Sequence, residues 1–192
     1  MKYLKMLGLA AVAAMALMAI GATAASATTL EISGAAQNKT VAISASLEPG
    51  TSALLKDSAG TTTDTCTTSQ VNGSTTVFTG AAVSGPISTL TFGNCTHTTT
   101  VIAKGSLSVT NIAGTTNGTV SSSGAEVTVQ STAFGASAVC KTGAGTDIGT
   151  LTGVKSGNAT MDINGKISCG ILGTATWTGA YTVTTANLGV GA

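Results

Sequence analysis

The sequence predicts an all-β fold, an antiparallel β-sandwich of Greek-key or jelly-roll type, behind an N-terminal signal-peptide helix. Three observations carry that expectation. Apolar residues recur at every second position in several short runs, the spacing of a strand with one buried face. Asn-Gly pairs punctuate those runs. Threonine, β-branched and favoured in strands, occurs 37 times in 192 residues.

The chain opens with an address. Lys2 and Lys5 precede an unbroken run of Ala, Leu, Met, Val, Gly and Ile from Met6 to Ile20. Ala22-Thr23-Ala24 and Ala25-Ser26-Ala27 then offer two small-x-small cleavage motifs, the layout of a secretory signal peptide. The apolar run is shorter than the roughly 20 residues that span a bilayer, so an uncleaved N-terminal anchor is the weaker reading. Residues 1–27 are therefore expected to be a leader, cleaved after Ala24 or Ala27, and residues 28–192 a single domain secreted or held at the cell surface. No Cys near the cleavage motifs invites lipid attachment, and the C-terminal residues 186–192 form neither a long apolar tail nor a basic stop.

The remaining chain reads as strands in order. Val41, Ile43, Ala45 and Leu47 alternate with small or polar residues. Leu90 and Phe92 alternate with Thr89 and Thr91, and Leu107 and Val109 with Ser106, Ser108 and Thr110. Ile112 falls one step out of phase, which marks a bulge or a strand end. Val127 and Val129 alternate with Glu126 and Thr128. Met161 and Ile163 precede an expected turn and Ile167 follows it. Ala175, Trp177, Tyr181 and Val183 alternate with threonines, with an irregularity allowed at Gly179. Expected hairpins fall at Asn72-Gly73, Asn117-Gly118 and Asn164-Gly165, and further turns at Glu48-Pro49-Gly50 and Gly85-Pro86. No segment after the leader sustains a helical period with caps.

Composition removes several function classes. Charged residues make up 8% of the chain, with eight Lys and no Arg, so phosphate neutralisation and guanidinium readout of bases are both missing and no nucleic-acid partner is expected. Without Lys2 and Lys5, six lysines face seven acids, too little net charge to steer a charged partner. With 43% hydrophobic residues the chain is not a disordered tail, and it lacks the Glu, Lys, Leu and Arg of a coiled coil.

Cys66, Cys95, Cys140 and Cys169 permit three pairings. Sequential pairing, Cys66 with Cys95 and Cys140 with Cys169, is favoured because it joins nearby strands at an equal separation of 29 residues. Each closed loop would then remove about 3.5 kcal/mol of unfolded-chain entropy. The two Cys-bounded segments share no further pattern, so no repeat is inferred. There is no C-x-x-C and one His, which disfavours zinc and a redox dithiol alike.

Several stretches resemble a family of uncharacterised secreted β-rich proteins of soil actinobacteria. They include the leader segment from Lys5 to Met18, Ile87-Ser88-Thr89-Leu90-Thr91-Phe92, Asn111-Ile112-Ala113-Gly114-Thr115-Thr116-Asn117-Gly118-Thr119-Val120 and Gly124-Ala125-Glu126-Val127-Thr128-Val129. Thr146-Asp147-Ile148-Gly149-Thr150-Leu151-Thr152-Gly153 and Trp177-Thr178-Gly179-Ala180-Tyr181 complete the likeness. The resemblance covers most of the chain and implies an exported β-fold with no established activity. In a bacterial setting the five sequons at Asn38, Asn72, Asn94, Asn117 and Asn158 are incidental.

No catalytic set assembles in sequence. His97, the sole histidine, would have to serve any Ser-His or Cys-His machinery, yet no G-x-S-x-G elbow exists, and His97 is expected to be a solvated loop residue. The acids Glu31, Glu48, Asp57, Asp64, Glu126, Asp147 and Asp162 are scattered singly, so none is chosen as one of the two carboxylates of a glycosidase. Trp177 and Tyr181 are expected in the core. Asp162-Ile163-Asn164-Gly165 lacks the remaining ligands of a calcium loop, and Gly143-Ala144-Gly145 lacks the Lys of a phosphate loop. Thr-x-Thr runs would make a ladder for ice or polysaccharide only if a solenoid stacked them, and no such repeat is visible. The expectation is thus a non-enzymatic structural or surface-interaction domain with no cofactor or metal, no membrane association after cleavage, and a cell-wall or glycan surface as the partner class left open. The alternatives are a pilin-like fibre subunit, or a secreted carbohydrate-binding protein or hydrolase.

Overall fold

Alternation builds strands, and strands account for all the regular structure seen. The computed structural model describes residues 27–131, 136–170 and 173–192, so the expected signal-peptide helix lies outside the described residues. The first strands are β1 (Thr28–Ile32), β2 (Ala35–Ala36), β3 (Ala42–Leu47), β4 (Ala53–Lys56), β5 (Thr62–Ser74) and β6 (Thr79–Gly80). They are followed by β7 (Val83–Cys95), β8 (Thr98–Ala103), β9 (Ser106–Asn111), β10 (Gly118–Ser123) and β11 (Glu126–Ser131). The last are β12 (Ala136–Lys141), β13 (Thr146–Thr152), β14 (Asn158–Ser168), β15 (Thr174–Ala186) and β16 (Leu188–Gly191).

The architecture is a closed antiparallel barrel, which corrects the expected sandwich. Eight strands form a circuit, β3–β5–β7–β9–β10–β13–β14–β15, and β3 closes it by pairing with both β5 and β15. A sandwich strand and a barrel strand both show one face in and one face out, so alternation alone does not separate them. Register shifts at Asn72/Gly73, Val120/Ser121 and Asn158/Ala159 are the local features that bend such a sheet towards closure. Beyond the end of β3, β4 fills the space between β15 and β5.

The turn between β3 and β4 follows its sequence signal. Thr51 N–H donates to Glu48 O at 3.1 Å, and Gly50 takes φ +79°, the left-handed conformation that a Pro-Gly turn demands. The other punctuation behaves differently. Asn72-Gly73 lies inside β5, Gly85-Pro86 inside β7 and Asn164-Gly165 inside β14. These glycines serve close approach: a Cβ on Gly165 would come 2.6 Å from Ile148 Cα, and one on Gly73 2.6 Å from Pro86 O. Asn117-Gly118 does border a hairpin, between β9 and β10, but the positive φ falls on Gly114. Ile112 lies just past the end of β9 and is exposed. At Gly179 the pairing with β14 runs unbroken.

The barrel interior is filled as alternation requires. Ala159, Met161, Ile163, Gly165 and Ile167 all point inward from one continuous β14. Tyr181 is fully buried, with Val120, Leu151 and Val183 packed in the same core. Each fully buried large apolar side chain contributes roughly 1.5–3 kcal/mol. One end is plugged by a small sheet in which β1 pairs with β16 on one side and with β2 and β6 on the other. That sheet inserts Leu30, Leu188 and Val190 into the core. At the other end β8, β11 and β12 form a flap, tied to β14 by the single pair Lys141–Ser168.

Candidate functional site

Both expected disulfides are present. Cys66–Cys95 joins β5 to β7, and Cys140–Cys169 joins β12 to the end of β14, each with S–S 2.02 Å and a separation of 29 residues. One bond lies where β7 turns into β8 and the other where β12 meets β14, so both margins of the flap are clamped. Such bonds persist in an oxidising compartment. Among the described residues no helix is long and apolar enough to cross a membrane.

The one buried acid stands beside the first disulfide. Asp64, 4% exposed, shares the inward face of β5 with Cys66. Its Oδ1 accepts the N–H groups of Thr65 (2.9 Å) and His97 (3.0 Å), and its Oδ2 accepts the Thr99 hydroxyl at 2.6 Å. Three donors on one carboxylate explain how it tolerates burial. The His97 ring is 19% exposed with Nδ1 at 3.6 Å from Asp64 Oδ1, so the histidine expected to be a solvated loop residue lies in the β7–β8 turn with its ring partly buried beside Asp64. The reason is Asp64, which draws in the His97 backbone and carries the ring with it.

This cluster does not have the connectivity of a hydrolytic triad. A triad hydroxyl donates to the imidazole, whereas the Thr99 hydroxyl donates to the carboxylate. Nor do Asp64, Cys66 and Cys95 make a metal site. Their ligand atoms lie within 4.8 Å of one another, but both sulfurs are committed to the disulfide and offer no thiolate. For the same reason the 3.8 Å approach of Cys66 Sγ to Asp64 is a contact without a proton. Sequence reading left Asp64 among scattered acids; its in-phase position two residues before Cys66 was the available signal.

Trp177 and Tyr181 occupy the inward face of β15, as expected of core aromatics. Tyr181 donates to Ser69 Oγ at 3.0 Å, and burial pushes its phenol up to about 12 against a smaller downward pull from that bond. Trp177 meets Phe92 edge-on at 5.3 Å between ring centres.

The outer face carries the feature that sequence could not assemble. Thr91, Gln70, Ser46, Thr182, Thr160 and Thr152 are successive cross-strand partners running from β7 through β5, β3, β15 and β14 to β13. All six are exposed or half-buried. At about 4.8 Å per strand the row extends roughly 24 Å around the barrel. A second row, Thr89, Asn72 and Ser44, lies beside it, and Thr184 extends it by donating to Ser44 O at 3.2 Å. Neither row holds a charge. The threonine ladder thus forms across a barrel wall without any solenoid.

Pockets of about 100, 60 and 20 Å³ have mainly apolar linings, and among the described residues that line them Asp64 is the only acid. A glycosidase's two facing carboxylates are not brought together in these chambers. No protein-family model, curated protein or solved structure matches the chain.

Proposed function

We propose that this chain is an exported, non-enzymatic β-barrel module that acts through its outer surface, the polar rows on β13, β14, β15, β3, β5 and β7 being the interaction face. The observation that carries the reading is the in-register row of six uncharged hydroxyl and amide side chains. Such a row offers hydrogen-bond donors and acceptors at regular strand spacing and no net charge, which suits a neutral, hydroxyl-rich polymer surface such as a cell-wall glycan. The two disulfides and the apolar segment Met6 to Ile20 support export, and the resemblance to secreted actinobacterial proteins points the same way.

The test is a glycan and cell-wall polysaccharide binding array probed with the exported chain, its Thr182→Lys variant and its Thr160→Lys variant. Retention on a neutral glycan, lost at least tenfold in both variants, is the expected result. Silence on every surface would remove the interaction role and leave a purely structural one.

The fibre reading has less support. Strand donation requires a free N-terminal strand, and β1 is already paired on both sides within its own chain. The one feature in its favour is β8, which in the large sheet pairs only with β11.

A further inference from the structure

The two disulfides clamp the same flap but have different neighbours. Asp64 Oδ2 is 3.8 Å from Cys66 Sγ, and an oxygen of Asp64 and the sulfurs of Cys66 and Cys95 all lie within 4.8 Å of one another. Among the described residues no acid stands that close to both sulfurs of Cys140–Cys169. Asp64 and Cys66 share the inward face of β5, and each is 4% exposed. Every hydrogen bond on the Asp64 side chain is one that it accepts, from Thr65 N–H, His97 N–H and the Thr99 hydroxyl. Among the described residues no lysine pairs with it, and its one ion-pair contact is the His97 ring at 3.6 Å. A carboxylate held by neutral dipoles in a poorly solvated place acts strongly on any charge that forms beside it.

Such a charge forms whenever a disulfide is broken by a small thiol. The attacking thiolate bonds to one sulfur, the S–S bond breaks, and its electron pair leaves on the other sulfur, which departs as a thiolate. Cys66 is buried, whereas Cys95 at the end of β7 is only half-buried, so Cys95 is the residue within reach. Attack there expels the Cys66 thiolate 3.8 Å from Asp64 Oδ2. Attack on Cys66 would instead carry the incoming thiolate towards the same carboxylate. On either route two negative charges meet beside the disulfide.

We propose that Asp64 is an electrostatic guard of the Cys66–Cys95 bond. Cys95 is the sulfur that a small thiol attacks, and the Asp64 charge opposes the step, so the flap margin where β7 turns into β8 stays clamped in a thiol-containing medium. This role in reactivity is separate from the service of Asp64 as hydrogen-bond acceptor to that turn, and it is independent of the outer polar rows.

The test exposes the intact, oxidised protein at about pH 8 to two small thiols of opposite charge, cysteamine and mercaptoethanesulfonate. Alkylation followed by peptide mass spectrometry reads the loss of each disulfide and the cysteine that carries the thiol adduct. Rates are expressed per thiolate and relative to Cys140–Cys169 in the same molecule. In the wild type, cysteamine is expected to open Cys66–Cys95 faster than mercaptoethanesulfonate by about tenfold or more, with the adduct on Cys95. Asp64→Asn keeps an oxygen for the two backbone N–H groups and removes the charge. It is expected to react faster with both thiols and to lose most of the preference between them. Simple loosening of the turn would speed both thiols by the same factor and leave the preference intact. Should the variant not fold, the wild-type preference still decides. Equal rates for the two thiols in the wild type, a preference that survives in folded Asp64→Asn, or an adduct on Cys66 in place of Cys95 would each overturn the proposal.

Discussion

Tyr181 on β15 donates a 3.0 Å hydrogen bond to Ser69 on β5, linking two strands 112 residues apart inside the barrel. Both strands flank β3, so the bond passes behind β3 in the interior. Tyr181 has no exposed surface, and its phenol ionises near 12 because burial disfavours the charged form.

That shift sets an alkaline limit on stability. The unfolded phenol ionises at 10.0 and the folded one near 12, so between those values only the unfolded chain loses the proton. The contribution is intact below pH 10 and declines as pH rises towards 12, by on the order of 2–3 kcal/mol. Tyr181→Phe lacks this decline. Denaturant midpoints of both proteins at pH 9 and pH 12 should show wild type losing its advantage; a constant gap would refute the assignment. In a chain lacking residues 1–27 Tyr181 is the only tyrosine, so phenolate absorbance reads its titration directly.

Removing the flap's outer clamp should loosen one end of the molecule. Cys140→Ala combined with Cys169→Ala opens a 29-residue separation, a loss of about 3.5 kcal/mol by loop closure. One ladder pair, Lys141–Ser168, then remains between β12 and β14. Hydrogen exchange should accelerate first in β11 and β12, with β14 and β15 still protected. Uniform acceleration across the chain would show that the flap is not a separate unit.

Gly165→Ala tests close approach against turn chemistry. The new Cβ would sit 2.6 Å from Ile148 Cα and 2.9 Å from Ile148 Cβ, an overpacking cost of roughly 1–3 kcal/mol. Gly143→Ala, whose nearest neighbour is Thr146 Oγ1 at 3.4 Å, should change stability by about 0.5 kcal/mol or less. Equal melting temperatures for the two variants would contradict this packing.

Asp64 should matter as an acceptor more than as a charge. Asp64→Asn keeps an oxygen for the Thr65 and His97 N–H groups, and the Thr99 hydroxyl can turn to accept; the expected cost is about 1 kcal/mol. Asp64→Ala strands both N–H groups and should cost roughly 3 kcal/mol or more. Chemical denaturation that finds the two variants equal would sink the acceptor role.

Much of the wall was legible because burial imposes period two. Ala45, Leu90, Val129, Met161, Ile163 and Val183 all face inward where alternation puts them. Asn72-Gly73 and Asn164-Gly165 misled because glycine has two uses. At Asn164-Gly165 the inward phase runs Met161, Ile163, Gly165, Ile167 without a break, and that continuity favoured a strand over a turn. Asp64 was hidden because its burial depends on donors from residues 97 and 99, which only the β7–β8 turn brings to it.

By itself the sequence determined which apolar side chains of the strands face inward and the Pro49-Gly50 turn, and it favoured the observed pairing of four sulfurs, since each follows from local spacing or from short chain separation. The tertiary structure decided that the sheet closes, that six polar residues line up across six strands, and that Asp64 is buried beside the first disulfide. Those properties rest on cross-strand register between distant segments, and alternation is silent on which strand lies beside which.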